Sequence, residues 1–246
     1  MKRSIVGLLL VLSLSIFGIQ AQEQEAETAI IAIGAQPETL FSDYTNAIGD
    51  YANAIMFNKL VKVDLDGNIV GDLATGWEIS EDGTVWKFTL HEGVTWHDGE
   101  PFTADDVKFS FEHRSDPAYT GYYFEDTIEG ATARKEGEAE EVAGVRVVDD
   151  LTVEITVAEP NALFLETLTT HVMLPEHLLA DIPVLESPAS FMQDAPIGTG
   201  PYQLVEWRQD EALIYEANED YFEGAPEVET VIWRVIPEQS AQLTEL

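Results

Sequence analysis

The chain has 246 residues, of which 45% are hydrophobic and 10% aromatic; this composition is typical of a globular protein and excludes an intrinsically disordered one. Its 46 acidic and 12 basic residues give a formal charge of −34, which repels nucleic acid phosphates and anionic membrane surfaces and excludes both as partners. Because the chain has no cysteine, disulfides, thiolate metal sites, a cysteine nucleophile and a lipid-modified cysteine are excluded too.

The first 21 residues have the layout of a secretory signal peptide. Two basic residues precede an apolar run from Ile5 to Ile19, and Ala21 lies where cleavage is expected. The run is short for a bilayer span, and no other stretch approaches the ~18 apolar residues that a spanning helix needs. We therefore expect a soluble periplasmic or secreted protein that starts near Gln22 and is not a lipoprotein. An uncleaved N-terminal anchor is the alternative.

The acidity admits two interpretations. It could attract a positively charged ligand, or it could be a general solubility adaptation to a saline exterior. The carboxylates are spread along the whole chain, which favours the solubility adaptation.

The N-terminal half combines strand signals with turn signals. Thr28 to Gly34 is predicted as a strand, and a helix is predicted over about Gly49 to Leu60 from apolar residues at helical spacing. Asp66-Gly67 and Asp82-Gly83 lie between short runs of strand-forming residues and predict hairpins on a small sheet. Three tryptophans at strand positions are predicted to lie in the core of this sheet: Trp77, Trp86 and Trp96.

The middle of the chain contains a helix start and a second hairpin. Thr103 and Asp106 have the spacing of a capping box, with Asp in place of the usual Glu. The stretch from Arg134 to Glu141 is charged and contains glycine, so it is predicted as a solvated loop. Val145 to Val148 and Leu151 to Val157 predict a hairpin with one buried face.

The C-terminal part begins with helical signals and ends with strand signals. A helix is predicted over Asn161 to Leu168. Gly198 and Gly200 are predicted to form a tight turn that uses positive φ. Three strands complete the prediction: Tyr202 to Trp207, Leu213 to Glu216 and Val228 to Ile236.

Three segments occur in an order that is similar to a known family. They are LATGWEISEDGTVWKFTL from Leu73, EGVTWHDGEPFTADDVKFSF from Glu92 and PIGTGPYQLVEW from Pro196. This order resembles family 5 of the extracellular solute-binding proteins, the oligopeptide, dipeptide and nickel receptors of ABC importers. The resemblance covers nearly all of this chain but only about half of a full receptor, so we expect the N-terminal portion of a longer product. A complete short protein is the alternative.

The resemblance implies a fold class and a domain layout. The fold would be α/β and periplasmic binding protein-like (type II, large cluster C), with one discontinuous lobe. That lobe would comprise residues 22–57 and 173–246, with a small β-rich domain inserted over residues 58–172. The second lobe, which closes over the ligand, would be absent.

The resemblance also implies a function. The protein would be the substrate-binding component of an ABC importer, a monomer that captures a solute, most readily a short peptide, and delivers it to a membrane permease. In peptide-binding relatives the segment between the first strand and the first helix contacts the ligand. Here it corresponds to Tyr44, Thr45, Asn46 and Ala47. A helix-entry loop capped by Thr45 or Asn46 is the alternative.

No sequence pattern supports catalysis, a metal site or a cofactor. The five histidines lack the spacing of a ligand set, and His97, in the TWHDGEPF turn, is predicted to have a structural role. The chain contains neither Gly-x-Ser-x-Gly nor Ser-x-x-Lys, and a glycosidase-like carboxylate pair can be proposed for any chain this acidic. We therefore expect no enzymatic activity. A secreted hydrolase acting on peptide or polysaccharide is the alternative.

Overall fold

The computed structural model describes residues 27–41, 52–121, 125–191 and 196–238. Within these ranges the chain forms two four-stranded sheets and one two-stranded sheet. The strands are β1 Thr28–Ile33, β2 Val61–Val63, β3 Ile69–Gly71, β4 Ala74–Ile79, β5 Val85–Leu90, β6 Val145–Asp149, β7 Thr152–Thr156, β8 Tyr202–Arg208, β9 Ala212–Ala217 and β10 Thr230–Val235. The α-helices are α1 Ala104–Arg114, α2 Ala131–Lys135, α3 Phe164–Leu168, α4 Glu176–Leu179 and α5 Ser187–Phe191.

The first sheet, which we call the terminal sheet, has the strand order β1-β10-β9-β8. Strand β1 pairs in parallel with β10 in an unbroken register from Thr28 opposite Thr230 to Ile33 opposite Val235. The other two pairings are antiparallel, as expected for β8, β9 and β10, which follow one another in the chain. This sheet therefore joins the beginning of the described chain to its end.

The second sheet, which we call the central sheet, has the order β4-β5-β7-β6 and is antiparallel throughout. The predicted Asp-Gly turns occur: Gly67 and Gly83 have φ of 83° and 75°, a region that glycine adopts without steric cost. The single small sheet predicted for both hairpins is wrong, because Gly83 joins β4 to β5 in this sheet whereas Gly67 joins β2 to β3 in the separate two-stranded sheet. The predicted 145–157 hairpin forms as β6 and β7, and Val153 and Ile155 are fully buried on one face.

The predicted capping box of helix α1 is confirmed. The Asp105 N–H donates to Thr103 Oγ1 at 3.3 Å, and the Thr103 N–H donates to Asp106 Oδ2 at 2.9 Å. Asp106 Oδ1 also accepts the N–H of Glu176, at 3.0 Å, so a single carboxylate holds the first turns of α1 and α4 together. Burial raises the pKa of Asp106, although these hydrogen bonds favour its charged form.

Buried side chains form two hydrophobic cores. The first packs on the terminal sheet and includes Phe41, Met56 and Tyr215. The second packs on the central sheet and includes Trp86 and Trp96. As predicted, these two tryptophans lie in the core; the third, Trp77, is only partly buried and packs against the edge of the core.

Three predicted helix or loop boundaries differ from the structure. The predicted helix over Gly49 to Leu60 falls partly outside the described residues; within them, residues 52 and 53 are helical and a turn follows. Gly200 and Tyr202 donate to the carbonyl oxygens of Met56 and Ile55, so those carbonyls bond a distant segment instead of continuing the helix.

The other two differences are shorter. The predicted helix over Asn161 to Leu168 covers only Phe164–Leu168, because Asn161 instead accepts the N–H of Leu163 in a local turn. The first residues of the predicted 134–141 loop belong to α2, because the N–H of Arg134 donates to the carbonyl oxygen of Gly130 at 3.0 Å in a helical turn. In the part of the chain that the structure describes, no helix is long and apolar enough to cross a membrane.

Candidate ligand-binding site

The predicted ligand-binding residues Tyr44, Thr45, Asn46 and Ala47 lie outside the described residues. The described residues on either side of them belong to one core. Leu40 and Phe41 before them, and Ala52 and Met56 after them, are fully buried in the core of the terminal sheet. The segment that was predicted to meet ligand therefore starts and ends at anchored points.

The chain enters this segment from the carboxyl end of β1. Strands β1 and β10 end side by side, and the N–H of Ile236 donates to the carbonyl oxygen of Ile33 at 2.8 Å. Beyond β1, the Gln36 side chain accepts the N–H of Asp210 at 2.7 Å and donates to Gln209 Oε1 at 3.2 Å. In open α/β sheets ligands bind beyond the carboxyl ends of the strands, so this edge is where a solute would be expected.

An open pocket of about 380 Å³ lies at the same edge. Acidic side chains and one cation line it, together with the residues that follow β10: Asp210, Glu211, Arg234, Val235, Ile236, Pro237 and Glu238. A pocket of this size is at the lower end of the range for small-molecule sites. Its lining combines charged side chains with the apolar residues Val235, Ile236 and Pro237.

A second feature, which we call the glycine junction, connects the two sheets. It consists of His97 in the TWHDGEPF turn and the segment from Gly198 to Gly200. The His97 N–H donates to the Gly198 carbonyl oxygen at 2.9 Å, and the Gly198 N–H donates to His97 Nδ1 at 3.1 Å. Nε2 lies 3.0 Å from the Gly200 carbonyl oxygen, so the ring accepts at Nδ1 and donates at Nε2. This is the structural role that the sequence predicted for His97.

The charge state of His97 follows from its surroundings. Burial lowers the pKa of His97, outweighing the hydrogen bond to Gly200 and the nearby charge of Asp98, both of which raise it. Only the neutral ring can accept the Gly198 N–H at Nδ1. The neutral form is thus the one that the glycine junction needs.

The reason predicted for the two glycines is wrong. Neither Gly198 nor Gly200 has positive φ. A Cβ at Gly198 would lie 2.0 Å from the Met56 carbonyl oxygen, and one at Gly200 would lie 2.4 Å from the Met56 carbonyl carbon. Glycine is required there by the close approach of two backbones and not by a turn conformation.

A buried polar network lies beside the junction and is centred on Asn58. Asn58 Nδ2 donates to Asp72 Oδ1 at 2.8 Å and to the Tyr221 hydroxyl at 3.1 Å. Asn58 Oδ1 accepts the Thr199 hydroxyl at 3.2 Å, and Asp72 Oδ2 accepts the Lys59 N–H at 2.7 Å. Burial raises the pKa of Tyr221 to about 12, so its hydroxyl stays neutral and accepts.

A surface ion pair extends this network. Lys62 Nζ lies 3.3 Å from Asp72 and 2.9 Å from Glu223. Although burial lowers the pKa of Lys62, its hydrogen bond to Glu223 and the charges of Asp72 and Glu223 raise it overall. The Asn58 network thereby ties the β2–β3 hairpin to the loop between β9 and β10. Sequence reasoning missed it, because its members lie far apart in the chain and share no local pattern.

The remaining side chains offer little for other chemistry. Among the described residues, no three histidine, aspartate or glutamate side chains lie close enough together to hold a metal ion. The polar groups that converge at the glycine junction bond one another. Its arrangement holds the TWHDGEPF turn and the Met56 backbone against the segment that precedes β8.

Comparison with known proteins agrees with this architecture. The family model of the bacterial extracellular solute-binding proteins, family 5 (middle region), matches residues 68–246, most of the chain. The chain belongs to this family. The matched residues include the glycine junction and every strand from β3 to β10.

Two curated relatives and one solved structure indicate its place in the family. A Brucella ovis protein named as an ABC transporter peptide-binding protein is 37% identical over 180 residues, 73% of this chain and 32% of that protein. The dipeptide-binding protein of Escherichia coli K12 is 29% identical over 243 residues, 92% of this chain and 44% of that protein. The oligopeptide-binding protein AppA of Bacillus subtilis, solved with a nonapeptide, has a TM-score of 0.77 at 26% identity, over 89% of this chain and 42% of that chain.

These findings confirm the family and the type II periplasmic binding protein fold that the sequence resemblance implied. The chain spans between about a third and under half of the length of these relatives. It corresponds to the N-terminal part of the longer members. The family is one of solute-binding proteins, and the two curated relatives are named for peptide and dipeptide binding.

Proposed function

We propose that this solute-binding protein serves an ABC importer and that its solute is a short peptide. The observation that carries the proposal is the superposition of its fold on AppA, a protein solved with a nonapeptide bound. Curated relatives named for peptide and dipeptide binding point to the same solute class. The protein would capture the peptide outside the cytoplasmic membrane and pass it to a membrane permease.

The proposed domain layout is a discontinuous lobe of residues 22–57 and 173–246 with an inserted domain over residues 58–172. Two observations support it. The terminal sheet takes its strands from both ends of the described chain, whereas the central sheet lies wholly between Ala74 and Thr156. Each sheet also has its own core. In a whole receptor, a second lobe would close over the solute by a hinge motion.

The proposed ligand contacts are Tyr44, Thr45, Asn46 and Ala47. The anchored residues on both sides of them support this, as does their departure from the carboxyl end of β1. One lobe supplies only one wall of such a site. Because an open wall leaves the solute's polar groups in water, most of the roughly −8 kcal/mol of a micromolar site would be missing.

The proposal is tested by calorimetry of this chain with defined peptides of two to nine residues. We expect dissociation constants weaker than micromolar, and a further loss of binding in Asn46→Ala. Asn161→Ala, a matched change at a turn in the inserted domain, should bind as the unchanged chain does. Micromolar or tighter binding by this chain would show that the site is complete within these residues. Equal binding by both variants would remove residues 44–47 from the site.

The second candidate, a secreted hydrolase, is separated by the fate of the peptide. Mass spectrometry after incubation should recover the peptide unchanged, and any turnover would favour the hydrolase.

Mass spectrometry also tests export. Protein released by a secreting host should begin near Gln22 if residues 1–21 are a cleaved signal peptide.

A further inference from the structure

The sequence contains three Asp-Gly pairs, and the structure gives all three the same backbone turn. They are Asp66-Gly67, Asp82-Gly83 and Asp98-Gly99, and each aspartate is exposed. The three glycines have positive φ, of 83°, 75° and 90° in chain order. Each glycine N–H also donates to the carbonyl oxygen three residues before it: Gly67 to Asp64 at 3.1 Å, Gly83 to Ser80 at 2.9 Å and Gly99 to Trp96 at 2.9 Å. Differences in reactivity among the three pairs must therefore come from their side-chain contacts.

An Asp-Gly pair can react with itself. The glycine backbone nitrogen, which no neighbouring side chain hinders, attacks the carboxyl carbon of the protonated aspartate. The new C–N bond forms as the carboxyl C–O bond breaks, and the nitrogen's proton and the hydroxyl group leave as one water, giving a succinimide ring. Water then opens the ring at either carbonyl. Opening at the former main-chain carbonyl gives isoaspartate, in which the main chain runs through the side-chain methylene.

Hydrogen bonds that hold the carboxylate oppose this reaction, because the carboxyl carbon has to turn towards the glycine nitrogen. The carboxylates of Asp82 and Asp98 are both held. Asp82 Oδ1 accepts three hydrogen bonds, from the hydroxyls of Ser80 at 2.6 Å and Thr84 at 2.8 Å and from the Thr84 N–H at 3.1 Å. Asp98 Oδ1 accepts the Glu100 N–H at 3.3 Å, and Asp98 Oδ2 lies 2.8 Å from His177 Nε2.

The bonds to Asp82 have a second effect. The hydrogen bonds from Ser80 and Thr84 favour the charged carboxylate and lower the pKa of Asp82. The protonated form, from which the hydroxyl group leaves, is therefore rarer at this site.

Asp66 is different, because in the described part of the chain no group donates to its carboxylate. The side-chain contacts of its turn belong to Asp64, whose Oδ1 accepts the N–H groups of Asp66 and Asn68 at 2.9 and 2.8 Å. An added Cβ at Gly67 would meet no atom within 4 Å, so there is also space around the nitrogen that attacks.

We propose that Asp66 is a site of spontaneous isomerisation and is converted to isoaspartate ahead of Asp82 and Asp98. The reaction is intramolecular and needs only water. It lengthens the main chain at the turn between β2 and β3, which are joined by only three residue pairs. Lys62 of β2 lies 2.9 Å from Glu223, so the modification would loosen a hairpin that the Asn58 network ties to the loop between β9 and β10.

The test follows all three pairs in the same sample. The folded chain is incubated at mildly acidic pH in water enriched in heavy oxygen, and each ring opening adds one solvent oxygen. Cleavage after glutamate in ordinary water then separates the pairs, since peptides 39–78, 82–92 and 93–100 each contain one of them. Mass spectrometry with electron-transfer fragmentation should find several times more label and isoaspartate at Asp66 than at either other pair. Equal labelling, or more labelling at Asp82 or Asp98, would overturn the proposal.

Two variants and a denaturant test the cause. Asp66→Glu should remove the label from peptide 39–78, because the longer side chain has to close a larger and less readily formed ring; label that persists would place the reaction elsewhere. Thr84→Val removes one hydroxyl that holds Asp82 and should increase labelling there, and no increase would contradict the role of these bonds. In urea the three pairs should react at similar rates. If Asp66 led by the same factor in urea, the turn contacts would not be the cause.

Discussion

The central sheet and the terminal sheet hold their cores together in different ways. The central sheet is built from neighbouring hairpins, and its core is packed by aromatic pairs such as Trp86 with Phe164, whose ring centroids are 5.4 Å apart. The terminal sheet depends on the parallel pairing of β1 with β10, from opposite ends of the described chain. The two hairpins of the central sheet can each form from local contacts before β5 and β7 pair, whereas the terminal sheet needs the two ends of the described chain to meet.

The two regions also differ in how well their buried polar groups are satisfied. In the core of the terminal sheet the Tyr215 hydroxyl and the Trp233 indole N–H have no hydrogen-bond partner among the described residues, and in the core of the central sheet the same holds for the Trp86 indole N–H. Next to the core of the terminal sheet, both polar atoms of the Asn53 amide also lack a partner in the part of the chain that the structure describes. Each such atom costs free energy. Within the described ranges, the terminal sheet thus has more buried polar atoms without a partner. The glycine junction and the Asn58 network connect it to the central sheet.

The largest effect is expected in the core of the central sheet. Trp86→Ala should lower the free energy of unfolding by about 3–5 kcal/mol, because a nearly buried ring is lost and leaves a cavity. Trp77→Ala is the matched control and should cost clearly less, since Trp77 is only partly buried. Urea unfolding followed by circular dichroism gives both values. If Trp86→Ala left the free energy of unfolding nearly unchanged, the ring would not be buried in a closed core, and the central sheet would not be the better packed of the two regions.

The glycine junction tests the connection between the regions. Gly200→Ala should cost about 3 kcal/mol, because its Cβ would meet the Met56 backbone at 2.4 Å and neither backbone is free to move. Gly76→Ala has no atom within 4 Å of the added Cβ, and should change the unfolding free energy by less than about 0.5 kcal/mol. Thermal unfolding of the two variants, measured side by side, gives the two losses of stability. Similar losses would show that steric contact is not what selects glycine at residue 200.

A smaller loss of unfolding free energy is expected when the Asn58 network is disrupted. Asn58→Ala should cost about 2 kcal/mol, because the buried Asp72 carboxylate and the Thr199 and Tyr221 hydroxyls each lose a partner. Asn68→Ala removes an exposed amide from a hairpin turn and should cost less than about 1 kcal/mol. Chemical denaturation of both variants provides the comparison. If the two losses were equal, the network would contribute nothing beyond an ordinary turn.

The smallest effect is a pH dependence at His97. Its folded pKa is lowered from 6.5 by burial, so the unfolded chain takes up the proton first. The contribution of His97 is fully present above pH 6.5 and is lost as the pH falls from there towards the folded pKa. Denaturant midpoints measured between pH 7 and 5.5 should fall less in His97→Gln than in the unchanged chain. His91→Gln keeps His97 and should keep the full decrease; equal decreases in all three would contradict the assignment.

Much of the central sheet could be predicted from the sequence, and much of the terminal sheet could not. Asp82-Gly83 imposes a turn by its own backbone preference, and the alternation from Leu151 to Val157 determines which face is buried. The parallel register of β1 with β10 has no such local signal. Its partner strand could only be inferred from the family resemblance.

By itself the sequence determined the family, the fold class, the helix cap at Thr103 and the turn role of His97, because each rests on residues close together in the chain or on a motif order. Only the tertiary structure decided why Gly198 and Gly200 are glycines, and that Asn58 joins Asp72, Thr199 and Tyr221. These contacts depend on two backbones that approach each other in space. The spacing of residues in the sequence does not predict such an approach, because segments at any separation along the chain can come into contact.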